Sequence, residues 1–94
     1  MKTNDENIIR VSANSNVNKL AGSISYALQE FGKAHLVSIG ADANNQSLKA
    51  IIIARGYITP MGFDLEITPY FQDIETEQGV KTSIHTKIKR KVIE

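Results

Sequence analysis

Apolar residues Val17, Leu20, Ala21, Ile24, Ala27, Leu28 and Phe31 recur at helical spacing, while Asn18, Lys19, Ser23, Ser25, Gln29 and Glu30 take the opposite side. The pattern predicts an amphipathic helix of about four turns, capped by Ser15 or Asn16 and ended by Gly32. Short β-branched runs flank it, Ile8-Ile9-Arg10-Val11 and His35-Leu36-Val37-Ser38-Ile39, and these read as strands. Strand, helix and strand in that order imply a right-handed crossover between parallel strands. A second helix follows the glycine turn at Gly40. Asp42, Asn44 and Asn45 are its candidate caps, Leu48, Ala50, Ile51, Ile52, Ile53 and Ala54 its apolar body, and Gly56 its interruption. Three consecutive isoleucines cannot share one stripe of a helix, so at least one faces a second layer or a second subunit. Pro60 and Gly62 close the helical section.

The period then changes from helical to alternating. Phe63, Leu65, Ile67, Pro69 and Phe71 alternate with Asp64, Glu66, Thr68 and Tyr70. Past an acidic link over residues 73–79, Thr82, Ile84, Thr86 and Ile88 alternate with Lys81, Ser83, His85, Lys87 and Lys89. These are two antiparallel strands of a hairpin. With Ile67 opposite Ile88, the register also sets Phe71 opposite Ile84, Glu66 opposite Lys89 and Asp64 opposite Lys91. An apolar and an ionic pattern thus select the same register. The element order is β-α-β-α-β-β, an α+β fold with one four-stranded mixed sheet and two helices on one face.

Composition narrows the function. The 94 residues make one small domain, residues 8–94, after a polar tail over 1–7 that has nothing to bury. A domain this size buries only a little over ~60% of its unfolded surface, so oligomerisation would help it. The net charge of +1 demands neither a polyanion nor a membrane as partner. With no cysteine there are no disulfides, thiolate chemistry or cysteine-based zinc sites. The start lacks the apolar core of a signal peptide, and no apolar run approaches the ~20 residues of a membrane span. The expectation is a soluble cytoplasmic protein.

Candidate chemistry is sparse. His35 and His85 are far apart in the chain with no further ligand at metal-binding spacing, no serine sits in a nucleophile turn, and Gly40-Ala41-Asp42 lacks the glycines of a phosphate loop. No catalytic residue, metal or cofactor is expected. Asp73, Glu75 and Glu77 suit a charged hairpin tip better than a cation site. Lys81, Lys87, Lys89 and Lys91 line the strand face away from the helices, where they would meet phosphates, although Asp64 and Glu66 oppose two of them and charged strands also resist aggregation. Ser12, Asn14, Ser15 and Asn16 before the first helix, and Asn44, Asn45 and Gln46 at the second, lie at the same end of two parallel strands. They suit phosphate binding at helix N-termini and ordinary capping equally. Arg55, late in the second helix, complements its dipole.

Longer motifs run through the whole chain. Ile9-Arg10-Val11-Ser12-Ala13, Ser38-Ile39-Gly40-Ala41, Asn45-Gln46-Ser47-Leu48-Lys49-Ala50, Ile53-Ala54-Arg55-Gly56-Tyr57 and Gly62-Phe63-Asp64-Leu65 resemble the stage V sporulation protein S family, over nearly everything from Ile8 to Ile93. The resemblance implies a bacterial regulatory role in spore formation and an Alba-like two-layer sandwich, the fold of a dimeric chromatin protein and RNA binder. By the same resemblance, nucleic acid would meet Ser12 to Asn18, Asn44 to Lys49 and the hairpin from Phe71 to Thr82.

The resulting expectation is a non-enzymatic homodimer or homotetramer that binds DNA or RNA. Its contact residues would be Ser12, Asn14, Asn16, Lys19, Asn44, Asn45, Gln46, Lys49, Lys81, Lys87, Lys89 and Lys91. Ile51, Ile52, Ile53, Tyr57 and Ile58 would form the oligomer interface. The rival expectation is a protein-interaction or scaffold module that assembles through the same central helix.

Overall fold

The computed structural model describes residues 8–93; the polar tail expected over residues 1–7 lies outside them. Its elements are β1 (Ile8–Val11), α1 (Val17–Phe31), β2 (Lys33–Ser38), α2 (Ala41–Ile58), β3 (Phe63–Thr76) and β4 (Gly79–Val92), with a 3-10 turn at Thr59–Met61 before β3. The four strands form one sheet in the order β1-β2-β4-β3. β1 and β2 are parallel, and β4 runs antiparallel to both of its neighbours. The α+β order, the mixed sheet and its two helices therefore stand as the hydrophobic pattern predicts.

α1 buries Leu20, Ala21, Ile24, Ala27 and Leu28, the stripe read from its spacing. Asn16 caps it by accepting a 3.0 Å hydrogen bond from the Lys19 backbone N–H, which satisfies one of the helix's unpaired donors. Gly32 ends it in the left-handed conformation, φ 77, with its own N–H donating to the Leu28 carbonyl. α2 buries a narrow stripe of Ala43, Ser47, Ala50, Ile51, Ala54 and Ile58, small enough for close packing on α1. Of the three isoleucines, Ile51 points into the core, Ile53 packs at its margin and Ile52 is 68% exposed.

Three local expectations are corrected. Asp42, Asn44 and Asn45 do not cap α2, because Gly40 occupies that position at φ 93, where no side-chain cap forms and glycine adopts the backbone most readily. Gly56 does not interrupt the helix: buried Ala54 and Ile58 on either side anchor the last turns and outweigh the ~1 kcal/mol penalty of an interior glycine. The acidic link is also shorter than expected. β3 pairs with β4 down to Thr76 opposite Gly79, and the Thr76 hydroxyl donates to the Gly79 carbonyl at 2.7 Å across the turn.

Ile67 opposite Ile88, Phe71 opposite Ile84, Glu66 opposite Lys89 and Asp64 opposite Lys91 are all observed pairs. β2 pairs with β4 only between residues 84 and 89 of β4. Beyond Ile84 the hairpin is two strands wide, and its five further β4 residues make an arm that projects ~17 Å past the sheet. The arm leaves at the end where β1 and β2 turn into their helices. The core, built from Leu20, Ile24, Leu28, Leu36, Ile58 and Ile88 among others, lies between the helices and one face of the sheet. The other face carries no helix among the described residues.

Candidate nucleic-acid interface

Alternation within each strand decides which side chains share the open face. Pairing sets His35 beside Lys87, Val37 beside His85 and Lys33 beside Lys89, while β3 contributes Glu66, Thr68 and Tyr70 opposite Lys89, Lys87 and His85. β1 adds Ile8 and Arg10 to the same face. The expected placement of Lys87, Lys89 and Lys91 away from the helices follows directly.

The two helix starts meet at the opposite end from Lys89. Gln46 Nε2 donates a 2.8 Å hydrogen bond to the Ser15 carbonyl, which ties the first turns of α2 to the loop before α1. Within that loop the Ser15 hydroxyl accepts from the Ser12 N–H at 2.9 Å, and the Ser12 hydroxyl accepts from the Asn14 N–H at 3.3 Å. Ser12, Asn16 and Gln46 thus have structural partners, and Asn44 is half-buried. Asn14, Lys19, Asn45 and Lys49 remain exposed around the clamp, with the arm carrying Lys81 rising from the same end.

The twelve expected contact residues therefore divide into two surfaces. Parity along a strand predicts a face but not a height on it: Lys89 pairs with Lys33 at the start of β2, five residues below the Ser38–Ile84 pair that borders the helix starts. Lys87, Lys89 and Lys91 thus lie ~10 Å or more below the loop end, on the open face. The expected oligomer residues divide as well. Ile51 and Ile58 are 6% and 1% exposed and belong to the subunit's own core, whereas Ile52 and Tyr57 are outside.

Sequence spacing misses one cluster. His35 Nε2 and His85 Nδ1 lie 2.8 Å apart, the Tyr70 hydroxyl lies 3.5 Å from the same His35 nitrogen, and the Tyr70 ring stacks on His85 with centroids 5.0 Å apart. Lys87 Nζ sits 5.8 Å over the Tyr70 ring. Burial, then the neighbouring His85 and Lys87, push the His35 pKa below its usual value; burial, then Arg10 and Lys87, do the same for His85. Half of this cluster is recoverable from sequence, since the hairpin register alone puts Tyr70 opposite His85. The contact with His35 needs β2 beside β4, which no local pattern encodes.

Arg55 holds Asp64 by hydrogen bonds of 2.7 and 3.3 Å, fastening the last turn of α2 to the start of β3. This pair and the Leu65 N–H lower the Asp64 pKa to about 2. Lys91 faces Asp64 across the strands, but the carboxylate turns to Arg55.

The chain is a two-layer α+β sandwich with a projecting β3-β4 arm and two helix starts clamped together at its base, an Alba-like fold. In three dimensions the chain is similar to Alba from Thermoplasma volcanium, with a TM-score of 0.64 at 18% identity, over 89% of this chain and 100% of that one. By sequence it belongs to the Stage V sporulation protein S (SpoVS) family, whose model matches residues 7–91.

Proposed function

We propose that this protein is a non-enzymatic cytoplasmic regulator, acting in sporulation or cell development, that binds DNA or RNA as a homodimer. The observation that carries this reading is the loop end: Asn14, Lys19, Asn45 and Lys49 exposed around the Gln46–Ser15 clamp, beside the base of the arm. A hydrogen-bonded loop that presents the side-chain amides of Asn14 and Asn45 with two lysines suits phosphate contacts that carry little sequence information. Glu75 and Glu77, next to and in the turn, keep the far end of the arm off the phosphates, so contact concentrates at its base.

The test is fluorescence anisotropy with labelled duplex DNA, single-stranded DNA and RNA at low and near-physiological salt. Binding should weaken with salt, and on duplex DNA the slope of log affinity against log salt should fall by ~0.9 for every phosphate that a variant no longer neutralises. Lys19→Gln with Lys49→Gln should flatten that slope, whereas Lys87→Gln with Lys89→Gln should leave it unchanged. No binding to any of the three at low salt overturns the reading. That outcome favours the second one, a protein-interaction module, which the exposure of Ile52 (68%) and Phe71 (75%) supports.

A further inference from the structure

The open face of the sheet holds a cavity of about 750 Å³, within the ~300–1,000 Å³ typical of small-molecule sites. Lys33, Lys87 and Lys89 line it on two adjacent strands, with His35 between them. None of these lysines belongs to an ion pair among the described residues, where the one such pair is Arg55 with Asp64. Arg90 also borders the cavity, but its Nη1 donates to the Leu28 and Gln29 carbonyls at 3.0 and 3.1 Å and is committed to the end of α1. Glu66 is the single carboxylate among the described residues of the lining. A cation is disfavoured here, and an anion carrying more than one charge is favoured.

The rest of the lining is not that of a bare anion site. Ile8 and Phe31 give an apolar wall on the β1 and α1 side, and Phe31 is 56% exposed. Thr68 and Glu66 offer a hydroxyl and an acceptor at the β3 side. Lysines on one side and a hydrophobic wall with a few polar groups on the other fit a ligand with a phosphorylated end and a flat, largely apolar body. We propose that this basin binds a nucleoside phosphate, with its phosphates against Lys33, Lys87 and Lys89 and its base against Ile8 and Phe31. The site lies on the open face and shares no residue with the nucleic-acid surface proposed at the loop end.

Isothermal titration calorimetry of the full chain with ADP at low salt tests it, with adenosine and pyrophosphate as the two partial ligands and amide NMR shifts to locate the site. ADP should bind more tightly than either part, shifting amides in β2 and β4 around residues 33–35 and 87–89. Lys87→Gln with Lys89→Gln should weaken ADP at least ~10-fold, as expected for loss of charge-assisted contacts, and Lys33→Gln should weaken it independently. Lys19→Gln with Lys49→Gln should leave ADP binding intact even where it abolishes nucleic-acid binding. No heat and no shift with ADP at millimolar concentration overturns the proposal, as do shifts confined to the loop end. Pyrophosphate binding as tightly as ADP removes the base-binding half and with it the nucleoside assignment.

Discussion

His35 and His85 face each other nitrogen to nitrogen, so one ring donates and the other accepts, and two protons cannot occupy the 2.8 Å gap. Arg10 and Lys87 place positive charge beside the pair, Tyr70 adds a hydroxyl, and Glu66 is the one acid that lines the same cavity as His35 among the described residues. Both pKa values fall below the 6.5 of an unperturbed histidine. The unfolded chain therefore binds more protons between the folded and unfolded values. The stability that the pair contributes is complete above pH 6.5 and is lost as pH falls through the lowered folded values. Asp64, lowered to about 2, contributes stability that is present above 3.8 and lost only as pH falls through about 2, so it does not interfere. The urea midpoint should thus drop between pH 7.5 and 5.5, and His85→Gln should shrink that drop. An equal drop in the variant would place the titrating group elsewhere.

At the scale of the element, Gly32 is the joint between α1 and β2. Its carbonyl accepts from the Arg90 N–H at 3.0 Å, and a Cβ there would lie 3.5 Å from Arg90 Nε. The contact is tolerable but the positive φ is not, and Gly32→Ala should cost ~1–2 kcal/mol in denaturant unfolding with α1 otherwise retained. A cost near zero would mean that the helix end relaxes into another conformation. α1 and the hairpin are legible in the sequence because several signals coincide in each: stripe, cap and left-handed glycine in one, apolar and ionic registers in the other. The start of α2 is not, since Asp42, Asn44 and Asn45 fit the helix's first turns as well as its cap, and Asp42 gains from the dipole there. The site residues suffer from a different loss. Strand parity names the face of Lys87 and Lys89, but their distance from the loop end and their closeness to Lys33 depend on β2 lying beside β4. That is a pairing between residues about fifty positions apart.

For the molecule as a whole, exposure separates the isoleucines by what each change would break. Ile51→Glu would bury a charge in the core and should unfold the subunit. Ile52→Glu should keep the circular dichroism spectrum and thermal midpoint of the subunit while halving the mass of the proposed dimer by light scattering. An unchanged mass would move the interface off α2, with the exposed Phe71 and Val80 of the arm as the next place to look. The strand order has a further consequence, for assembly during synthesis. β4 follows the other described elements in sequence yet pairs with both β2 and β3 inside the sheet. A nascent chain that has reached Thr76 contains the sequences of both helices and of the parallel strands, but not the strand with which β3 pairs. The sheet is completed from its middle, and a chain lacking β4 would lose not a margin but the strand that joins its two halves.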